Sequence, residues 1–285
     1  MTIDIDNKYF MKNIDDRSPF VFIEKAKVSI KNSSILVSSS SGCSQLMLND
    51  ILTLFLGHGV SITHSAVLAL AKFNVNTVWY GDKGFKVYSV HTSNNYNKNI
   101  AKQAKLSSDI NLKTMVARNM FELRFNEDSK GKTIEQLRGM EGVRIRNCYR
   151  EQSEKYGIKW SGRNFEPGHP EKSDAVNRLL SFSNSVLYGI CNAVIQSYGY
   201  SPSLGFIHTG FNLSFVYDIA DLYKTEIVIP KVFELSGLIS SEPSEKLFKE
   251  YLLELSQKTN FLKRIINDIN FVLYNNIESE IFKNL

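Results

Sequence analysis

From about residue 18 to residue 92 the apolar positions fall in short runs that alternate with polar ones, the period of half-buried strands. F-V-F-I (20–23), V-S-I (28–30) and S-I-L-V-S (34–38) are β-branched or aromatic runs separated by Lys, Asn and Ser turns. Q-L-M-L-N-D-I-L-T-L-F-L-G-H-G (45–59) continues the pattern, with Gly57 and Gly59 marking a turn. T-V-W-Y-G-D-K-G-F-K-V-Y-S-V (77–90) predicts a hairpin around Gly81-Asp82-Lys83-Gly84. One helix interrupts the strands: Thr63 is a good N-cap for the Ala/Leu-rich stretch that follows it.

Near residue 99 the period changes. Apolar residues now recur every three or four positions through 99–106, 111–125, 133–150 and 175–199, and again from Ser244 to the end. Phe261, Ile265, Ile269, Val272, Leu273 and Ile277 make one stripe of that last helix. A polar Gly/Pro segment at 161–174 reads as a loop. The prediction is an α+β chain: a β-rich domain over 1–97 and a larger all-α domain over 98–285.

Charge sharpens this outline. The net charge is only +5, but residues 101–170 carry 14 basic against 9 acidic side chains, and residues 171–285 carry 10 against 13. Arg138, Arg144, Arg146 and Arg150 crowd one predicted helix, with Glu141 as the acid among them. Arginine is the side chain best shaped for phosphate, so the pattern points to a nucleic-acid backbone. The cysteines, Cys43, Cys148 and Cys191, are far apart and odd in number. They exclude a zinc ribbon and a disulfide framework, and read as three small buried hydrophobes of a cytoplasmic protein. No run approaches the length of a membrane span.

Three patches offer chemistry. Glu141 is flanked by Gly139 and Gly142, each costing a helix about 1 kcal/mol relative to Ala. Either a nucleic-acid strand or another helix must then come close. Alone, Glu141 reads better as a surface acid paired with Arg138 and Arg144; the two glycines count against that. His208 lies in G-F-I-H-T-G (205–210), just before an acid-bearing helix predicted to run from Ser214 to Glu226 and to stop before Pro230. Asp218, Asp221 and Lys224 fall progressively to one side of its apolar stripe, with Tyr217 near Lys224. Two carboxylates and an imidazole suit Mg²⁺ or Mn²⁺ better than Zn²⁺. A metal-dependent nuclease and a non-catalytic DNA-binding scaffold both fit these residues.

M-F-E-L-R-F (120–125), E-Q-L-R-G-M-E-G-V-R-I-R (135–146), Y-G-I-K-W-S-G-R (156–163), G-F-I-H-T-G (205–210), L-S-F-V-Y-D-I-A-D-L-Y-K (213–224) and I-P-K-V-F-E (229–234) resemble the universal CRISPR-associated integrase family, in its subtype I-E branch. The resemblance implies metal ligation by Glu141, His208 and Asp221, with Asp218 nearby in the site. Arg138, Arg146, Arg163 and Lys224 would clamp DNA backbone, and Tyr188 and Tyr217 would contact a single-stranded overhang. It further implies a homodimer, a small ferredoxin-like CRISPR-associated partner dimer, protospacer DNA with 3′ overhangs, and CRISPR repeat DNA as target. The chain departs from the pattern at Lys25, Phe165 and Phe211, where relatives carry an aromatic wedge, an aromatic with a hydroxyl and a basic residue.

Overall fold

The computed structural model describes residues 17, 20–32, 34–81, 86–91, 99–125, 129, 131–164, 172–238 and 243–277, with backbone alone for 86–91 and 257. The alternating runs form β1 (Val21–Ile23), β2 (Ala26–Lys31), β3 (Ser34–Ser39), β4 (Gly42–Met47), β5 (Thr53–Leu56), β6 (Ser61–Ile62), β7 (Asn76–Gly81) and β8 (Lys86–His91). Helix α1 (His64–Lys72) lies between β6 and β7, and Thr63 caps it by accepting from Ala66 N–H. The strands make two four-stranded sheets, ordered β1-β5-β7-β8 and β4-β3-β2-β6.

β7 and β8 pair antiparallel as their alternation predicts, with Val78 opposite Val90; the turn at 82–85 lies outside the described residues. β1, β5 and β7 instead run parallel, Val21 beside Leu54 and Leu54 beside Thr77. Parallel strands need a crossover, and the segment containing α1 supplies the one from β5 to β7. The continuous apolar run of β5 is the matching signature: all four of its residues are buried.

The helical part comprises α2 (Asn99–Ser108), α3 (Ile110–Phe125), α4 (Ile134–Tyr156), α5 (Ala175–Ser197), α6 (Ser214–Ala220), α7 (Ile229–Gly237), α8 (Ser244–Thr259) and α9 (Phe261–Tyr274). Fourteen residues of α5 are buried, which makes it the central helix. The predicted tail helix breaks at Asn260, which takes a left-handed φ of 50° between α8 and α9. Asn is among the few residues that adopt that conformation readily.

Residues 92–98, where the boundary between the two parts was expected, lie outside the described residues. On either side of them the core is continuous. Phe55, Val78 and Tyr80 of the β1-β5-β7-β8 sheet, with Phe20 just before β1, bury against the helices rather than against the second sheet. A Cβ on Gly189 would meet the Phe55 ring at 2.6 Å, so that glycine lets α5 lie directly on the sheet. The Asn76 amide donates to Ala193 O at 3.2 Å and to Ser197 Oγ at 2.8 Å. Replacing Phe55 by Ala would empty this junction at a cost of about 3–5 kcal/mol. The helical part thus shares one hydrophobic core with the β1-β5-β7-β8 sheet.

Of the cysteines, Cys191 is buried, Cys148 is half-buried and Cys43 is exposed. The expectation of three buried thiols fails at Cys43, because β4 presents most of its side chains to solvent. No helix among the described residues is long and apolar enough to cross a membrane.

Candidate metal centre and nucleic-acid interface

The segment read as one helix over 214–226 is two elements with a break. α6 ends at Ala220, and Asp221 is its C-cap. A π-helical turn then spans Lys224–Val228 and leads into α7. Pro230 falls in the first turn of α7 and helps start it instead of stopping the previous helix; its missing N–H is one the first turn leaves unpaired anyway.

The break separates the two aspartates. Asp218 points inward with its side chain fully buried. Its carboxylate accepts from the backbone N–H groups of Phe206 at 2.6 Å, Ile207 at 3.2 Å and His208 at 2.8 Å. It also faces His208 Nδ1 at 2.8 Å. The loop folds tightly enough for this only because residue 205 is glycine: a Cβ there would come within 2.3 Å of His208 O. With Nδ1–H donated to Asp218, the neutral ring presents its Nε2 lone pair outward. Nε2 lies 3.8 Å from Asp221 Oδ2. The hydrogen bond to Asp218 raises the His208 pKa, with the Asp221 charge adding to it and burial opposing.

Glu141 comes to the same pocket from α4. It does not pair with Arg138 or Arg144 as a surface acid would. Its carboxylate bonds Arg124 of α3, and Arg124 Nη1 is also 4.0 Å from Asp221 Oδ2. Burial pushes the Glu141 pKa up and outweighs the Arg124 guanidinium beside it. On the other flank Lys224 Nζ is 2.6 Å from Asp221 Oδ1 and 4.8 Å from the centre of the Tyr188 ring. Burial pulls the Lys224 pKa down, but the Asp221 charge and the Tyr188 hydroxyl overcome it and leave it above the ordinary value.

Among the described residues no group of three His, Cys, Asp or Glu side chains is already arranged to hold a metal ion. The donor chemistry nevertheless fits one. Glu141, His208 and Asp221 line a single cavity of about 10 Å³, room for roughly one water-sized sphere. Arg124 and Lys224 occupy the acids with positive charge, as expected where two carboxylates converge. A divalent ion between Glu141 and Asp221 requires Arg124 to yield.

Arg124 is the residue that sequence reasoning missed. The signal was a basic side chain closing a buried helix end, next to the buried Phe121 and Phe125. Its side chain is only 6% exposed, and a buried guanidinium needs an acid partner, which α4 supplies as Glu141.

The expected DNA contacts lie beside this centre. Arg138 Nη2 donates to Ile207 O at 3.0 Å, tying α4 to the His208 loop. Arg146 and Arg163 line an open groove of about 590 Å³ with Gly142, Tyr149 and Trp160, whose two rings stack at 4.6 Å. Arg163 also donates to Asn177 O, Asn177 Oδ1 and Ser181 Oγ, so it pins the loop before α5. Tyr188 and Tyr217 meet edge to face at 4.9 Å, and Tyr217 lies 5.9 Å from the His208 ring. A Cβ on Gly139 would meet no atom within 4 Å, and one on Gly142 only Arg146 Nη1 at 3.3 Å. Close packing of another helix therefore does not explain these glycines. Of the departures, Lys25 sits in a tight turn at φ 48°, Phe211 is 64% exposed, and Phe165 lies outside the described residues.

The two-sheet N-terminal part fused to a helical part is the fold of solved Cas1 structures. The chain superposes on crystalline TtCas1 with a TM-score of 0.82 at 36% identity, covering 92% of this chain and 99% of that one. For the TtCas1–DNA complex the TM-score is 0.81 at 36% identity, with 90% and 91% covered. A relative from Methanospirillum hungatei, CRISPR-associated endonuclease Cas1 3, is 39% identical over 91% of this chain and 88% of its own length. The family model for CRISPR associated protein Cas1 matches residues 122–266, which include Arg124, Glu141, His208 and Asp221. The chain belongs to the Cas1 family.

Proposed function

We propose that the protein is a CRISPR adaptation integrase whose active centre holds one Mg²⁺ or Mn²⁺ on Glu141, His208 and Asp221. The observation that carries this reading is the Asp218–His208–Asp221 relay, in which a fully buried acid orients the ring and leaves Nε2 beside a second acid. That is the outer-shell arrangement of metal-bound histidines. When bound, the ion supplies Lewis-acid stabilisation of the phosphate and the departing oxygen.

The chain's own residues do the rest. Lys224, above its ordinary pKa and half-buried, keeps a positive charge beside the phosphate. Arg138 and Arg146 hold the backbone on either side of Glu141, and Arg163 fixes the loop that walls the groove. Tyr188 and Tyr217 border the path of an unpaired strand. The substrate is protospacer DNA with 3′ overhangs: each 3′-OH attacks one phosphodiester at an end of the first CRISPR repeat, a transesterification in which one P–O bond forms as another breaks. The working assembly is a homodimer, two of which flank a dimer of the small ferredoxin-like CRISPR-associated partner. The DNA complex of TtCas1 supports DNA as the bound polymer.

The test is integration into a supercoiled plasmid carrying a repeat array, with Mg²⁺ or Mn²⁺ and with or without the partner. Strand transfer that needs the partner supports the integrase. Partner-independent nicking alone identifies a free-standing nuclease, and DNA binding without either marks a scaffold.

A further inference from the structure

The mechanism leaves unused a cluster on the far side of the π-helical turn. Tyr223 is fully buried, and its hydroxyl donates to Asp268 Oδ2 at 2.7 Å. Arg264, one turn earlier on α9, grips Glu226 with two parallel bonds of 2.7 and 2.6 Å. Its Nε lies 3.7 Å from Asp268, and its guanidinium sits 5.3 Å from the centre of the Tyr223 ring. Tyr223 and Glu226 bracket Lys224 in sequence, so α9 holds the chain on both sides of that residue.

Lys224 needs holding because its backbone is unusual. Ile229 N–H donates to Lys224 O, five residues back, in place of the four-residue step of an α-helix. Such turns are uncommon, tend to occur at functional sites, and persist where surrounding contacts enforce them. Relaxing it to α-helical register would remove one residue of slack and turn Lys224 about 100° around the axis. The ammonium would then leave Asp221 and the Tyr188 ring.

We propose that Arg264 and Asp268 of α9 are positioning residues for the active centre: through Glu226 and Tyr223 they hold the π-helical register that places Lys224 against Asp221. The inference rests on the proposed role of Lys224 and adds α9, which carries none of the predicted ligands, to the machinery. The pair is exposed but bidentate and networked with Asp268, so it also contributes to stability, and Lys224 placement is read separately from folding.

The experiment compares Arg264→Leu, Arg264→Lys and Tyr223→Phe with wild type, using circular dichroism and thermal melting to identify folded variants. The first readout needs no DNA and no metal: the rate of reductive methylation at Lys224, followed by peptide mass spectrometry. Arg264→Leu and Tyr223→Phe should raise it at least about tenfold, and Arg264→Lys, which keeps a charge on Glu226, should recover most of the protection. The second readout is DNA nicking, where Arg264→Leu should lower kcat about tenfold with KM unchanged and have no further effect on a Lys224→Ala background. Unchanged Lys224 reactivity in both folded variants overturns the proposal, as does an Arg264→Leu effect of equal size without Lys224. If wild type neither nicks nor joins DNA with the partner present, the functional reading fails, and Lys224 reactivity alone decides the clamp.

Discussion

His208 Nδ1 and Asp218 Oδ1 lie 2.8 Å apart, and the same oxygen accepts the His208 backbone N–H. One carboxylate therefore fixes both the ring and the peptide that carries it. Asp218→Asn keeps the shape but turns an acceptor into a partial donor facing three backbone N–H groups. The expected cost is about 2–3 kcal/mol of stability and roughly a 10- to 100-fold loss of Mn²⁺ affinity. Calorimetric titration with Mn²⁺ checks this, and unaltered affinity would remove Asp218 from any supporting role.

Arg124 holds Glu141 and approaches Asp221. Arg124→Met leaves the half-buried Glu141 without its cation, while Asp221 keeps Lys224; the expected cost is about 3–5 kcal/mol. A divalent ion replaces that charge, so saturating Mn²⁺ should raise the melting temperature of the variant more than that of wild type. Equal shifts in the two proteins would show that Arg124 and the ion do not share the acids.

A Cβ on Gly139 would face open space, and one on Gly142 would meet only the flexible end of Arg146 at 3.3 Å. Ala at either position should stabilise α4 by up to about 1 kcal/mol, yet weaken DNA binding if a strand passes over this face. Chemical denaturation and fluorescence anisotropy on the same samples separate the two effects. Greater stability with undiminished DNA affinity would leave the glycines unexplained.

The bond to Asp218 raises the pKa of His208, so the folded chain binds that proton more tightly than the unfolded chain. The associated stability is complete below about pH 6.5 and is lost as pH rises through the folded-state value. Metal binding needs the neutral ring and should strengthen across the same window. The difference in unfolding free energy between metal-free wild type and His208→Gln, followed from about pH 5.5 to 8.5, should shrink with rising pH. A difference that is flat with pH would contradict the assigned bond.

Local chemistry was legible wherever it was carried by neighbours in sequence. Thr63 capped the helix expected of it, the β7–β8 alternation gave the right pairing, and the three metal-type residues converged on one cavity. What the sequence hid was tertiary. Helical periodicity placed Asp218 and Asp221 on one face, because nothing in 214–226 announces that the helix ends at Ala220 and resumes in π form. Arg124 could not be matched to Glu141, since 17 positions and a turn between helices separate them. The parallel pairing of β1, β5 and β7 was equally silent, because a buried strand shows an apolar run but not its direction. Pro230 was read as a stop, although at a helix start it is a beginning.

The most direct test of the central claim is strand transfer of a 3′-overhang protospacer into a repeat-bearing plasmid with Mn²⁺ and the small partner. Wild type, Glu141→Ala, His208→Ala and Asp221→Ala would be compared at equal folded concentration. Joined product from wild type alone, with DNA binding retained by all four, is the expected result. Joined product from any of the three variants at the wild-type rate would contradict the assignment of the metal centre.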